Sequence, residues 1–218
     1  MESVSLDYLK KIKGIIFDCD GVLIDSINSN IWYYNQFKKR FGLDPLTDEE
    51  IKYVHAHTVF ESIKYIIPEE SHEEALAIRK DPMFEKASDY IKLAEDLVPF
   101  LEYLKSASIL MAVNTNRTDS LDYILDKFEL QDFFDLKVNS TLLPKSKPHP
   151  DGVYYILEKW GITPENAVYI GDTWIDEECA KAAGVGFWAY RNADLNSDMH
   201  ITDYRILMEQ FKTANSKA

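Results

Sequence analysis

The chain is poor in the features that mark secreted, membrane-spanning and nucleic-acid-binding proteins. It has two cysteines in 218 residues, Cys19 and Cys179. They are too few for a disulfide framework or a thiolate metal site, so both read as packing residues in a reducing cytoplasm. Basic charge is also scarce: 24 Lys and Arg face 37 Asp and Glu, for a net charge of -13. That excludes a general nucleic-acid or anionic-membrane surface, which needs cations in excess, and leaves room only for a local basic patch around Lys145 and Lys147. No apolar run nears the roughly 20 residues of a membrane span, and no basic segment leads into an apolar stretch with a cleavage site. Repeats and low-complexity segments are missing too. What is present is a 46% apolar fraction, enough at this length for one sizeable core, or one core with a smaller appended domain. A soluble cytoplasmic protein is predicted, monomeric or homodimeric, with no nucleic-acid or membrane partner.

The organising stretch is Ile15-Ile16-Phe17-Asp18-Cys19-Asp20-Gly21-Val22-Leu23-Ile24-Asp25-Ser26. Its apolar start reads as a buried parallel strand, Gly14 to Phe17, and two carboxylates follow where the strand stops. Gly21 supplies a turn that can bring Asp18 and Asp20 toward one point, where they repel unless a cation or a shared proton lies between them.

Ser26 reads as the N-cap of a helix carrying Ile31, Tyr34, Phe37 and Phe41, which ends at Gly42. From Leu43 to Asp96 the pattern is helical without a strand, punctuated by Asp44-Pro45, Pro68 and Asp81-Pro82, and Thr47 with Glu50 forms a capping box. Some seventy helical residues after one strand exceed a simple crossover and read as a separate lobe. Strand and helix then alternate. A helix with Leu101 and Leu104 precedes strand Ile109 to Val113, and Thr118 reads as the cap of a helix through Leu121, Ile124, Leu125 and Phe128. An extended segment, Phe133 to Val138, leads into a loop, Leu143 to Pro150, that three prolines keep from being helical. A helix with Val153, Ile156, Leu157 and Trp160 ends at Gly161, and Thr163-Pro164 has the form of another helix start. Strand Val168 to Ile170, a helix to Ala183, strand Val185 to Tyr190 and a helix near Asp203 to Phe211 complete the chain. This is the pattern of an α/β protein: a doubly wound parallel sheet with a smaller all-helical second domain.

Parallel strands all point one way, so their ends converge along one edge of the sheet. That edge collects Asp18 with Asp20, Thr115 with Asn116, Lys147, and Asp172 with Asp176. Four carboxylates there call for a metal, and oxygen-only ligation without a His or Cys cluster favours Mg²⁺. Lys147 and Thr115 are then the phosphate-binding candidates. In the lobe, His55, His57, Lys64 and Arg79 could recognise the substrate but read more simply as surface residues, Glu69, Glu70, Glu73 and Glu74 read as a solvated face, and Trp32, Tyr33, Tyr34 and Phe37 as packing in preference to a substrate platform.

Taken in order and spacing, Asp18 to Ser26, Thr115-Asn116, Lys147-Pro148-His149-Pro150 and Gly171-Asp172-Thr173-Trp174-Ile175-Asp176 resemble the four motifs of the haloacid dehalogenase-like (HAD) superfamily of hydrolases. The helical lobe is similar to the cap of its phosphoglycolate phosphatase and β-phosphoglucomutase branch. The resemblance implies a Rossmann-like core at 1–26 and 97–218 and a cap domain at 27–96. It also implies a Mg²⁺-dependent phosphatase acting on a small phosphorylated metabolite through an aspartyl-phosphate. Asp18 would be the nucleophile and Asp20 the general acid and base. Asp18, the Asp20 main-chain carbonyl and Asp172 would ligate the metal, with Asp176 as a further ligand or as partner to Lys147. Thr115, Asn116 and Lys147 would hold phosphate, with Asn116 and Arg117 each able instead to shape the loop. Three positions depart from the family pattern: Ser146 stands where Gly is usual, Pro99-Phe100 where Pro-Gly is usual, and Ala56 where relatives often carry Gly. Gly171 stands where β-phosphoglucomutases tend to carry Glu, which favours hydrolysis over the alternative of a sugar phosphomutase. The other alternative is a non-catalytic binding protein on the same fold.

Overall fold

Ile15 and Phe17 face one side of the central strand and Ile16 the other, and all three are fully buried. This alternation divides the core into two layers. A computed structural model describes residues 5–78 and 83–216. Its strands are β1 (Gly14–Phe17), β2 (Ile24–Asp25), β3 (Lys92–Leu93), β4 (Leu110–Asn114), β5 (Leu136–Val138), β6 (Ala167–Gly171), β7 (Gly186–Tyr190) and β8 (Met199–Ile201). Six of them form one sheet in the order β5-β4-β1-β6-β7-β8, parallel throughout. β1 lies between β4 and β6, so the chain turns to opposite sides from it and leaves a crevice past its carboxyl end.

Helices cover both faces. Ile15 and Phe17 pack with residues of α1 (Leu6–Leu9), α7 (Leu97–Ser106), α8 (Ser120–Lys127) and α11 (Tyr204–Ser216). Ile16, Ala112 and Tyr169 pack with α9 (Asp151–Trp160) and α10 (Trp174–Ala183). Each fully buried large side chain contributes about 1.5–3 kcal/mol relative to exposure. Between the two sides of the chain lie helices α2 (Ile27–Arg40), α3 (Asp48–Ala56), α4 (Val59–Ile66), α5 (His72–Ile78) and α6 (Met83–Ala87). Tyr34, Phe37, Val54, Ile63, Ile66 and Ala75 give this segment an apolar cluster of its own. The Thr47–Glu50 capping box forms as the sequence predicts, and Thr58 with Glu61 makes a second one.

Several local expectations are corrected. Residues 43–96 do contain a strand, because Lys92–Leu93 pairs antiparallel with Ile24–Asp25 and ties together the two passages of the chain into and out of the helical segment. Neither run is long enough to carry a strand pattern by itself. β8 is an edge strand of three residues and was equally silent in the sequence. Ser26 makes no capping bond to the backbone and instead donates its hydroxyl to Asp20. Asp119, not Thr118, precedes α8, and no side chain caps that helix. Phe133 belongs to a short 3₁₀ turn before β5, and Thr163-Pro164 opens another 3₁₀ turn, not a longer helix. The Asp81-Pro82 turn and Arg79 lie outside the described residues.

Candidate active site

Asp18 follows β1, Thr115 follows β4 and Asp172 follows β6, three adjacent strands whose register brings their ends level. Asp18, Thr115, Asn116, Lys147 and Asp176 are all buried. Lys147 Nζ stands between two carboxylates, 2.7 Å from Asp18 Oδ1 and 2.6 Å from Asp176 Oδ1. Burial opposes its charge, but the flanking acids of Asp176 and Asp18 raise the ammonium pKa well above the usual lysine range. For Asp18 the balance runs the other way. Burial, and then the charges of Asp176, Asp172 and Asp20, push its carboxyl up to about 8 against the pull of Lys147.

The remaining residues divide by what they touch. Asp176 accepts from Lys147 Nζ and Tyr169 Oη on Oδ1, and from the Thr173 amide and hydroxyl on Oδ2. It is a satisfied buried acid that fixes the lysine and caps α10. Asn116 uses its amide as a clamp: Oδ1 accepts from the Lys147 amide at 3.0 Å, and Nδ2 donates to the carbonyls of Lys147 and Ala56, each at 3.1 Å. Both Asp20 oxygens are engaged, by Arg117 at 2.6 and 2.7 Å and by Ser26. Burial works to raise the Asp20 pKa, and the Arg117 charge and hydrogen bonds outweigh it and hold the group below the usual carboxylate range.

Asp18, Asp172 and Asp176 present carboxylate oxygens within 4.8 Å of one another. Asp172 Oδ1 is buried with no hydrogen-bond partner. Gly21 allows this closeness: its φ is +72°, and a Cβ there would lie 2.0 Å from Asp172 Oδ2. Crowded acids, an orphaned oxygen and an all-oxygen donor set fit a hard divalent cation. Asp176 is already saturated with donors, so Asp18 and Asp172 are the carboxylates better placed to hold such a cation directly.

The surface reading of His55 is corrected: the side chain is largely buried in the site. Its Nε2 lies 3.4 Å from Asp172 Oδ2, and Nδ1 meets Asn30 Nδ2 at 3.3 Å. Burial disfavours the charged ring, but Asp172, with Asp20 and Asp18 behind it, raises its pKa to about 9. A lone histidine on a helix gives no sign of a partner that distant in sequence. His57 is half-buried and stacks on Tyr53, with centroids 3.8 Å apart, whereas Lys64 is exposed as expected. Tyr34 and Phe37 do pack in the helical segment, and Tyr33 and Tyr34 also line the cavity above Asp18.

Known proteins resemble this chain in sequence and fold. The model of the family described as haloacid dehalogenase-like hydrolase matches residues 15–190. A phosphoglycolate phosphatase of Aquifex aeolicus is 30% identical over 86% of this chain and 90% of its own. A solved HAD-superfamily hydrolase of subfamily IA, variant 1, from Geobacter sulfurreducens superposes with a TM-score of 0.79 at 28% identity, covering 91% of this chain and 98% of that one. A β-phosphoglucomutase of Clostridium difficile, 17% identical with a TM-score of 0.76 over 94% and 99% of the two chains, shares the fold. With four motifs meeting at one sheet edge and the family match spanning most of its length, the chain belongs to the haloacid dehalogenase-like hydrolase family, in the branch that holds the phosphoglycolate phosphatases.

Proposed function

We propose that this phosphatase hydrolyses a small phosphorylated metabolite with Mg²⁺ and through an aspartyl-phosphate on Asp18. Residues 27–96 would act as a cap domain over a catalytic core of 1–26 and 97–218, excluding bulk water and selecting the substrate. The observation that carries the reading is the meeting of Asp18, Lys147 and the unpartnered Asp172 Oδ1 at the end of three adjacent strands.

Asp18, Asp172 and the Asp20 main-chain carbonyl would hold the ion. Bound there, Mg²⁺ offsets the negative charge that otherwise keeps a carboxylate from a phosphate dianion. An Asp18 oxygen attacks phosphorus, and the bond to the ester oxygen breaks with its electron pair leaving on the alcohol. Asp20, protonated from solvent once it is out of the Arg117 fork that holds it ionised, gives that oxygen a proton. Water then attacks the aspartyl-phosphate, Asp20 takes the water's proton, and the bond between phosphorus and Asp18 breaks to release inorganic phosphate. Lys147 and Thr115 stabilise the transferring group, and Asn116 contributes by fixing Lys147. Asp20 must leave the Arg117 fork to reach the ester oxygen. Hydrolysis is favoured over phosphomutation because Gly171 has no room for a side chain: a Cβ there would lie 2.3 Å from Asp176 Cβ.

The test is phosphate release from a panel of phosphorylated metabolites, phosphoglycolate included, with and without Mg²⁺. Asp18→Asn should lower turnover by at least about 10³-fold, with the circular-dichroism spectrum unchanged. Phosphatase activity retained in that variant would falsify the nucleophile assignment.

A further inference from the structure

The cavity above Asp18 measures about 480 Å³. Tyr33, Tyr34 and Phe84 line it from the helical segment and Tyr123 from α8. The Phe84 and Tyr123 rings meet edge to face with centroids 5.5 Å apart, so this wall is a continuous aromatic surface. Ser29, Asn30 and Ser120 add neutral hydroxyl and amide groups to the lining. A water fills about 30 Å³, and a two-carbon leaving group would abandon most of such a space to solvent.

The charges point the same way. Among the described residues, three cations lining the cavity have carboxylate partners in the resting site. Arg117 is bound to Asp20 and Ser120, Lys147 to Asp18 and Asp176, and His55 to Asp172. The His57 ring stacks on Tyr53, and its Nδ1 lies 2.9 Å from the Tyr53 carbonyl oxygen. Glu85 and Asp119 bring two further carboxylates to the lining. The permanent cations of the lining are Arg117 and Lys147 and its carboxylates are Asp18, Asp20, Glu85 and Asp119, so a further carboxylate on the leaving group would add to an excess of negative charge.

We propose that the substrate's leaving group is an uncharged, ring-bearing alcohol that packs on the aromatic wall formed by Phe84 and Tyr123. The inference rests on the phosphatase reading above and narrows its substrate class. Apolar burial and ring stacking would supply the selectivity, and the neutral groups would orient the alcohol.

Three phosphate monoesters of primary alcohols test it on the full-length protein with Mg²⁺: benzyl phosphate, ethyl phosphate and phosphoglycolate. Expected is a kcat/KM for benzyl phosphate at least about tenfold above both others. In Tyr123→Ala the benzyl-to-ethyl ratio should fall toward one. Because both rates come from the same preparation, a reduced folded fraction cancels in that ratio. A smaller advantage, phosphoglycolate turnover that equals or exceeds that of benzyl phosphate, or a ratio unmoved by Tyr123→Ala overturns the inference and leaves a phosphatase. If none of the three esters is cleaved, the inference falls, and the metabolite panel decides the phosphatase reading separately.

Discussion

Arg117 grips Asp20 with two prongs, Nε 2.7 Å from Oδ2 and Nη2 2.6 Å from Oδ1, and both side chains are largely buried. The planar guanidinium matches the carboxylate in a way that an ammonium cannot. Its Cζ also lies over the Phe84 ring, 5.6 Å from the centroid.

Removing one member of a buried pair strands the other charge, so Arg117→Ala should cost about 3 kcal/mol or more of unfolding free energy. Arg117→Lys should recover only part of that, since it replaces two bonds by one. Urea denaturation of the two variants checks the order, and an Arg117→Ala as stable as the parent would show the pair to be idle.

Mg²⁺ should stabilise the folded chain by mass action, by about 2.7 kcal/mol at a hundred times its dissociation constant. Asp172→Asn should lose most of that stabilisation. Gly21→Ala should lose much of it as well, since its methyl group would press on the Asp172 carboxylate. Thermal melts with Mg²⁺ and with a chelator measure the difference without reference to activity.

Glu50 ties α3 to Lys38 of α2 at 2.6 Å. Burial raises its pKa, but the bonds from Lys38 and Thr47 outweigh this and hold it below the ordinary 4.5. A depressed folded pKa gives stability that is present above the unfolded value and fades as pH falls through it. Unfolding free energy measured from about pH 6 down to about pH 3 should therefore decline less steeply in Glu50→Gln than in the parent. Parallel curves would remove the ion pair from the account.

Phe100 is fully buried and meets Phe17, Tyr204 and Phe211 with centroids 6.4, 5.3 and 6.2 Å away. Phe100→Ala should cost about 3–5 kcal/mol through lost transfer energy and the cavity left behind. The urea midpoint should drop with its slope unchanged, and a loss under about 1 kcal/mol would mean that the core refills the space.

The amino-acid order by itself determined the parallel sheet and most of its strands, because buried strands are short apolar runs bounded by turn residues, and that signal is local. It also determined that Asp18, Thr115, Lys147 and Asp172 would share one edge, since parallel strands carry whatever follows them to the same side. Tertiary structure decided how those groups pair, and chose for Asp176 the lysine partnership over the direct ligation that the motif had left open. Lys147 lies between Asp18 and Asp176, Asn116 clamps the lysine loop, Ser26 and Arg117 bind Asp20, and His55 reaches Asp172 from a helix. It also settled the short strands β2, β3 and β8, which exist only because a partner strand stands beside them. Periodicity and capping act over a few residues and leave their mark in the local sequence. A salt bridge between distant elements depends on where separate helices and loops come to rest, and no local pattern encodes that.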